Sequence, residues 1–245
     1  MLTSLSLAEL RMPVGAKNST GKANRSLLSP RQVARALSVL RKEAPNWNAP
    51  VLTLMAAEQR DPFKILIGCI LSLRTKDQVT ALASRRLFAI AATPQDMVRI
   101  PVAKIERTIF PVGFYRTKAR AILEICADLN RNFAGQVPDT IDELLTLKGV
   151  GRKTANLVVT EAFGKPGICV DTHVHRISNR WGLVKTATPV QTETALRKRL
   201  PRRYWLEYNS LLVAFGQTIC NPVSPRCSRC PIELRCPRIG VEHSR

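Results

Sequence analysis

Leu147-Lys148-Gly149-Val150-Gly151-Arg152-Lys153-Thr154-Ala155-Asn156, followed at Val170-Asp171-Thr172-His173 by a lone carboxylate in an apolar run, decides how this chain is read. Gly149 and Gly151 allow the backbone a positive φ, so that successive N–H groups can converge on one oxygen. The residues after them, Arg152 to Phe163, read as a helix whose positive end faces the same spot. Such a turn suits a phosphate of a nucleic-acid backbone. Lys153 falls in the first turn of that helix, where the dipole disfavours an ammonium ion, and a neutral amine is a nucleophile. Gly-x-Gly alone also fits an ordinary turn between helices beside a solvated Arg-Lys pair, so the wider sequence has to decide.

The chain of 245 residues carries 38 Lys plus Arg against 18 Asp plus Glu, a net charge of +20 and a pI near 10.5. That excess is too large for a neutral enzyme of small metabolites and points to a polyanionic partner. No apolar run approaches the roughly 20 residues needed to span a bilayer. The longest, Phe63 to Leu73, is interrupted by Lys64. Nucleic acid is therefore the expected partner and a membrane is not. Three Tyr, three Trp and seven Phe are too few for the stacking platforms of single-strand binders, which favours a duplex.

Met1 to Ser29 is rich in Ser, Lys, Arg and small residues, holds one acid, Glu9, and shows no sustained apolar period. A disordered basic tail is expected there. An organelle transit peptide has similar composition, whereas a secretory signal would need an apolar segment after the charges. Location is thus cytoplasmic and nucleoid-associated for a bacterial source, nuclear or organellar for a eukaryotic one. From Ser29-Pro30 onward, segments with apolar residues at three- and four-residue spacing follow one another between Pro and Gly breaks. They are Arg31 to Arg41, Pro62 to Leu73, Gln78 to Ile90, Ile105 to Ile109, Arg116 to Phe133 and Ile141 to Leu147. Alternation of the strand kind is nearly absent, so the fold class is all-α.

Four of seven cysteines, Cys220, Cys227, Cys230 and Cys236, cluster as Cys-x6-Cys-x2-Cys-x5-Cys. Thiols at that density mean metal or disulfides, and an intracellular-looking composition without a signal peptide favours metal. Spacing alone places zinc ahead of an iron–sulfur centre, although thiolates suit either. Cys69, Cys126 and Cys169 lie in apolar segments and read as small buried hydrophobes.

Taken together, the hairpin run, Val170-Asp171-Thr172-His173-Val174-His175-Arg176, Leu71-Ser72-Leu73-Arg74-Thr75-Lys76-Asp77 and the cysteine tail resemble the endonuclease III family of DNA glycosylases, within the helix-hairpin-helix superfamily. The resemblance covers about Ser29 to Arg238. It implies a six-helix barrel, residues 55–165, against a second domain built from both chain ends, residues 30–54 and 166–245. It also implies that the four cysteines hold a [4Fe–4S] cluster, reversing the zinc preference. Lys153 takes the place of the Schiff-base lysine and Asp171 that of its partner carboxylate, 18 residues on, as in the family pattern.

The implied activity is a bifunctional DNA glycosylase and abasic-site lyase that acts on oxidised pyrimidines in damaged double-stranded DNA, as a monomer. The competing role for Asp171 is to cap the helix starting near Thr172. The hairpin residues Gly149, Val150, Gly151, Arg152 and Thr154 are candidate DNA contacts, as are His173, Arg176, Arg74 and Arg226. For His173 the alternative is local capping, for Arg176 an acid partner, and Asp77 reads as orienting a neighbouring helix. Three positions depart from the family: Arg74 replaces a glutamine that fills the space of the flipped base, Lys148 replaces a proline, and the loop Asn221 to Arg226 is basic only at Arg226. The other functional readings are a relative of the adenine-mismatch glycosylases, which lack a lysine at the position of Lys153, and a non-catalytic helix-hairpin-helix DNA-binding module.

Overall fold

A computed structural model describes residues 28–245, so the expected tail lies outside the described residues except for Leu28 and Ser29. Both are part of the fold. Leu28 is buried and donates its N–H to the Trp181 carbonyl (3.2 Å), and Ser29 forms a capping box with Gln32 at the start of α1 (Pro30–Glu43). No strand occurs among the described residues. Eleven more helices follow: α2 (Val51–Glu58), α3 (Pro62–Ser72), α4 (Asp77–Ile90), α5 (Pro94–Met97), α6 (Val102–Ile109), α7 (Tyr115–Asn132), α8 (Ile141–Leu144), α9 (Arg152–Phe163), α10 (Thr172–Arg180), α11 (Pro189–Arg199) and α12 (Trp205–Thr218). No helix among the described residues is long and apolar enough to cross a membrane.

Helix starts follow local chemistry. Asp61 accepts the N–H groups of Phe63 and Lys64 at the head of α3, and Thr188 accepts that of Gln191 at the head of α11. Proline stands in the first turn of α1, α3, α5 and α11, where its missing N–H costs nothing.

Apolar side chains collect in two cores. Six helices of eight or more residues, α2, α3, α4, α6, α7 and α9, surround the first, with the short α5 and α8 closing it. Its centre is α3, which reads as a continuous apolar run because Ile65 through Leu71 is buried on every side. The second core joins α1 to α10, α11 and α12 through Leu37, Leu40, Ile177, Leu196, Tyr208 and Phe215, so that both ends of the described chain meet in it. The expected boundary after residue 54 falls inside α2, whose Val51 and Leu52 pack into the first core; their apolar contacts draw the whole helix to that side.

A buried carboxylate ties the two cores together. Glu193 of α11 is only 5% exposed and accepts from Arg152 of α9 through Nη2 (2.6 Å) and Nε (3.1 Å), from Arg197 Nε (3.1 Å) and from Asn156 Nδ2 (3.3 Å). Burial alone would push this carboxyl up, but the hydrogen bonds from Arg152 and Arg197 outweigh it and hold it below its ordinary value of 4.5. A depressed folded-state pKa contributes stability that is complete above the unfolded value and is lost as the pH falls through the folded one. Glu193→Gln should therefore cost about 1–3 kcal/mol in denaturant unfolding at pH 7, the half-exposed Arg152 keeping it from being larger. The gap to the wild type should close progressively below pH 4.5.

Candidate functional site

The hairpin consists of α8, a turn over 147–151 and α9. Val150 donates its N–H to the Leu147 carbonyl (3.0 Å), which closes the turn. Gly149 takes φ +88°, a left-handed conformation that glycine alone adopts cheaply. Gly151 differs from expectation: its φ is −95°, ordinary extended backbone, and a β-carbon there would meet nothing within 4 Å. Glycine at 151 is thus required by nothing among the described residues. Unlike α3, α10 and α11, α9 starts with no side-chain cap, and its first-turn N–H groups have no acceptor among the described residues.

Lys153, on the exposed side of that first turn, lines a cleft of about 410 Å³. Asp171, Thr172 and His173 form another wall, Ser72, Arg74, Thr75 and Asp77 a third, and Asn209, Val213 and Gln217 of α12 a fourth. Asp171 caps a helix, as the competing reading has it. Its Oδ1 accepts the Val174 N–H (2.8 Å) and caps α10, while Oδ2 makes no hydrogen bond among the described residues. The carboxylate therefore has one oxygen engaged by the helix and one left free on the cleft.

Asn156 fixes where Asp171 sits, and nothing in the sequence singled it out beyond its place in the hairpin run. Fully buried one turn after Lys153, it accepts the Ile168 N–H on Oδ1 (3.0 Å) and thereby ties the segment that leads to Asp171 onto α9. Its other bonds, from Nδ2 to the Arg152 carbonyl (2.9 Å) and to Glu193 (3.3 Å) and from Arg197 to Oδ1 (2.9 Å), hold the amide in one orientation.

Several expected DNA contacts are engaged within the protein instead. Val150 and Thr154 bury their side chains, Val150 in the first core, and the Val150 N–H is spent on the turn. Arg152 forks onto Glu193. Arg176 turns inward, donating to the carbonyls of Cys220 (2.8 Å) and Gly216 (3.3 Å), with His173 Nδ1 3.1 Å away. Burial holds His173 below its ordinary pKa, which favours a neutral ring beside the cleft. Lys148 pairs with Glu124 (3.1 Å). Arg226 is exposed but lies on the wall of the cysteine cavity, away from the cleft lining. Arg74 remains on the cleft, exposed, with its guanidinium 5.3 Å from the centre of the Phe114 ring. Asp77 accepts the Val51 N–H (3.4 Å) at the head of α2.

Cys220, Cys227, Cys230 and Cys236 all line one small cavity of the second core, together with Arg180, Trp181, Phe215 and Ile219. Arg180 donates to Cys220 Sγ (3.3 Å) and, through both Nη atoms, to the carbonyls of Asn221 and Pro222 (2.7 Å each), so a buried cation faces the first thiol of the set. No group of three or more His, Cys, Asp or Glu among the described residues is placed as a ready metal site. Cys69 and Cys126 sit in the first core, where burial pushes both thiols up to about 12 and leaves them unreactive.

Residues 67–202 match the family model of the HhH-GPD superfamily base excision DNA repair proteins. Endonuclease III of Thermotoga maritima is 47% identical over 179 residues, covering 73% of this chain and 84% of that protein. The mouse endonuclease III-like protein 1 is 44% identical over 178 residues, covering 71% of this chain and 59% of the mouse protein. Among solved structures, a trapped endonuclease III–DNA covalent intermediate superposes with a TM-score of 0.76 at 37% identity, covering 86% of this chain and 96% of that one. The chain belongs to the endonuclease III family of that superfamily, and is a DNA glycosylase and abasic-site lyase of base excision repair.

The two hairpin glycines should separate in experiment. Gly149→Ala forces a β-carbon into the left-handed region and should cost about 1–2 kcal/mol. Gly151→Ala loses only the weaker N-cap preference of alanine, roughly 0.5–1 kcal/mol. Thermal melts of both variants, with duplex affinity measured alongside, should show Gly151→Ala losing more binding than its stability explains.

Proposed function

We propose that this protein excises oxidised pyrimidines from damaged double-stranded DNA and then cuts the strand at the abasic site, with Lys153 as nucleophile and Asp171 as its partner carboxylate. The observation that carries the proposal is the meeting of these two side chains in one cleft, beside the uncapped end of α9. A phosphate seated on the free first-turn N–H groups would bring the neighbouring sugar to the cleft. The open space before Gly151 is what such an approach needs. A base flipped out of the stack enters the cleft.

The Lys153 amine attacks C1′ as the N-glycosidic bond breaks, and the bond pair leaves with the base, which takes up a proton. Asp171 stabilises the positive charge that grows on the sugar and accepts a proton from the attacking amine. Opening of the sugar ring gives a C1′ imine, which acidifies the C2′ proton. Loss of that proton expels the 3′ phosphate by β-elimination, and water then hydrolyses the imine to release Lys153. The amine itself argues against the adenine-mismatch reading, which has no lysine here.

Four thiols on one cavity wall, with Arg180 offsetting thiolate charge, fit a [4Fe–4S] centre held by Cys220, Cys227, Cys230 and Cys236. When bound, the cluster would supply covalent cross-links between the end of α12 and the C-terminal loops.

Lys153→Ala should abolish borohydride trapping on abasic duplex and leave duplex affinity within about twofold, since one cation among many supplies little of the electrostatic binding. Undiminished trapping would remove Lys153 from the chemistry. Asp171→Asn is the sharper variant, because asparagine caps a helix as well as aspartate does. Stability should hold while base release slows by about a hundredfold or more. Near-normal turnover would reduce Asp171 to its cap. Iron analysis of the purified brown protein should give about four irons per chain, and a colourless zinc protein would overturn the cluster.

A further inference from the structure

Lys118 of α7 is a buried cation that the chemistry above does not use. It is 7% exposed, and its ammonium donates to the carbonyls of Leu71 (2.8 Å) and Leu73 and to Thr75 Oγ1 (3.1 Å), so all three of its N–H groups are committed to the end of α3 and the loop after it. Burial lowers its pKa to about 8, which leaves it charged at neutral pH. The loop it holds carries Arg74 at φ +54°, a left-handed conformation costly for a side chain with a β-carbon.

A second loop abuts the first. Gly113 donates its N–H to the same Thr75 Oγ1 (3.2 Å), and a β-carbon at Gly113 would stand 2.6 Å from the Arg74 carbonyl. The next residue, Phe114, is also left-handed, at φ +60°, is 61% exposed, and carries the ring that faces the Arg74 guanidinium. Two exposed residues with strained backbone, Arg74 on the cleft and Phe114 against it, thus share one polar anchor. Strain of this kind persists only where the surroundings over-determine it.

We propose that Lys118 is a positioning residue that fastens the Arg74 loop and the Phe114 loop into a single rigid element, which meets the duplex as one piece when the lesion is presented to Lys153 and Asp171. The proposal rests on the lyase reading above and assigns Lys118 no contact with the substrate. A single-stranded abasic oligonucleotide presents its sugar without a duplex to open, so it needs the cleft and not the fastened loops.

The experiment compares wild type, Lys118→Met, Gly113→Ala and the double variant in two assays. Single-turnover excision from a damaged duplex reads the fastened element. Borohydride trapping on the single-stranded oligonucleotide reads the lysine chemistry. Lys118→Met and Gly113→Ala should each slow duplex excision by roughly a hundredfold, as misplacement of about 1 Å does, and should keep single-strand trapping within about threefold. The double variant should be no slower than the slower single one, because the two changes release the same element. Parallel losses in both assays would overturn the proposal in favour of general damage to the fold. Multiplicative losses in the double variant would overturn the shared anchor, and an unaffected duplex rate in Lys118→Met would overturn the role of Lys118. Absence of trapping in wild type would instead refute the lyase reading on which the proposal stands.

Discussion

The amide of Asn156 joins the two segments that carry Lys153 and Asp171. A helix fixes Lys153 and a separate extended segment delivers Asp171; the two are held together where Asn156 Oδ1 accepts the Ile168 N–H. A buried amide has two donors and two acceptor positions, and here each finds a partner: Arg152 and Glu193 on one side, Ile168 and Arg197 on the other. Unmet, any of them would cost about 1–3 kcal/mol. Met together, they allow only one placement of the Asp171 segment against α9. Gly167 makes that approach possible, since a β-carbon there would press on the Asn156 carbonyl at 3.1 Å.

The same network changes what the large positive charge does. A net charge of +20 attracts a polyanion over the whole surface, but the cations nearest the site are not all free to bind one. Arg152 and Arg197 are held by Glu193, and Arg176 and Arg180 by backbone carbonyls around Cys220. Their work is positional. On the proposed reading, what the hairpin offers a phosphate is a set of uncapped N–H groups and the dipole of α9, a grip with geometry that a diffuse charge lacks.

Much of this was legible in the sequence because it is encoded locally. The helical spacing and the glycine of the left-handed turn at 149 lie within short stretches of chain, and α9 begins and ends where its pattern places it, whereas the pairing of Lys153 with Asp171 came from the family resemblance. What could not be read depends on partners distant along the chain. Arg152 looks free until Glu193 arrives 41 residues later, and Arg176 looks like a surface cation until the end of α12 folds over it. Nothing in the sequence singles out Lys118, and only the fold brings it beneath the carbonyls of Leu71 and Leu73. Asp171 is instructive in another way. Capping and catalysis looked like alternatives, yet a carboxylate has two oxygens and the cap occupies only one of them, so the two roles do not compete.

The most direct test of the central claim is to locate the covalent bond. Wild-type protein trapped on abasic duplex with borohydride, digested and mapped by mass spectrometry, should carry the DNA remnant on the peptide containing Lys153 and on no other amine. An adduct spread over several lysines, or placed on Lys148 or Lys118, would contradict the assignment of Lys153 as the nucleophile.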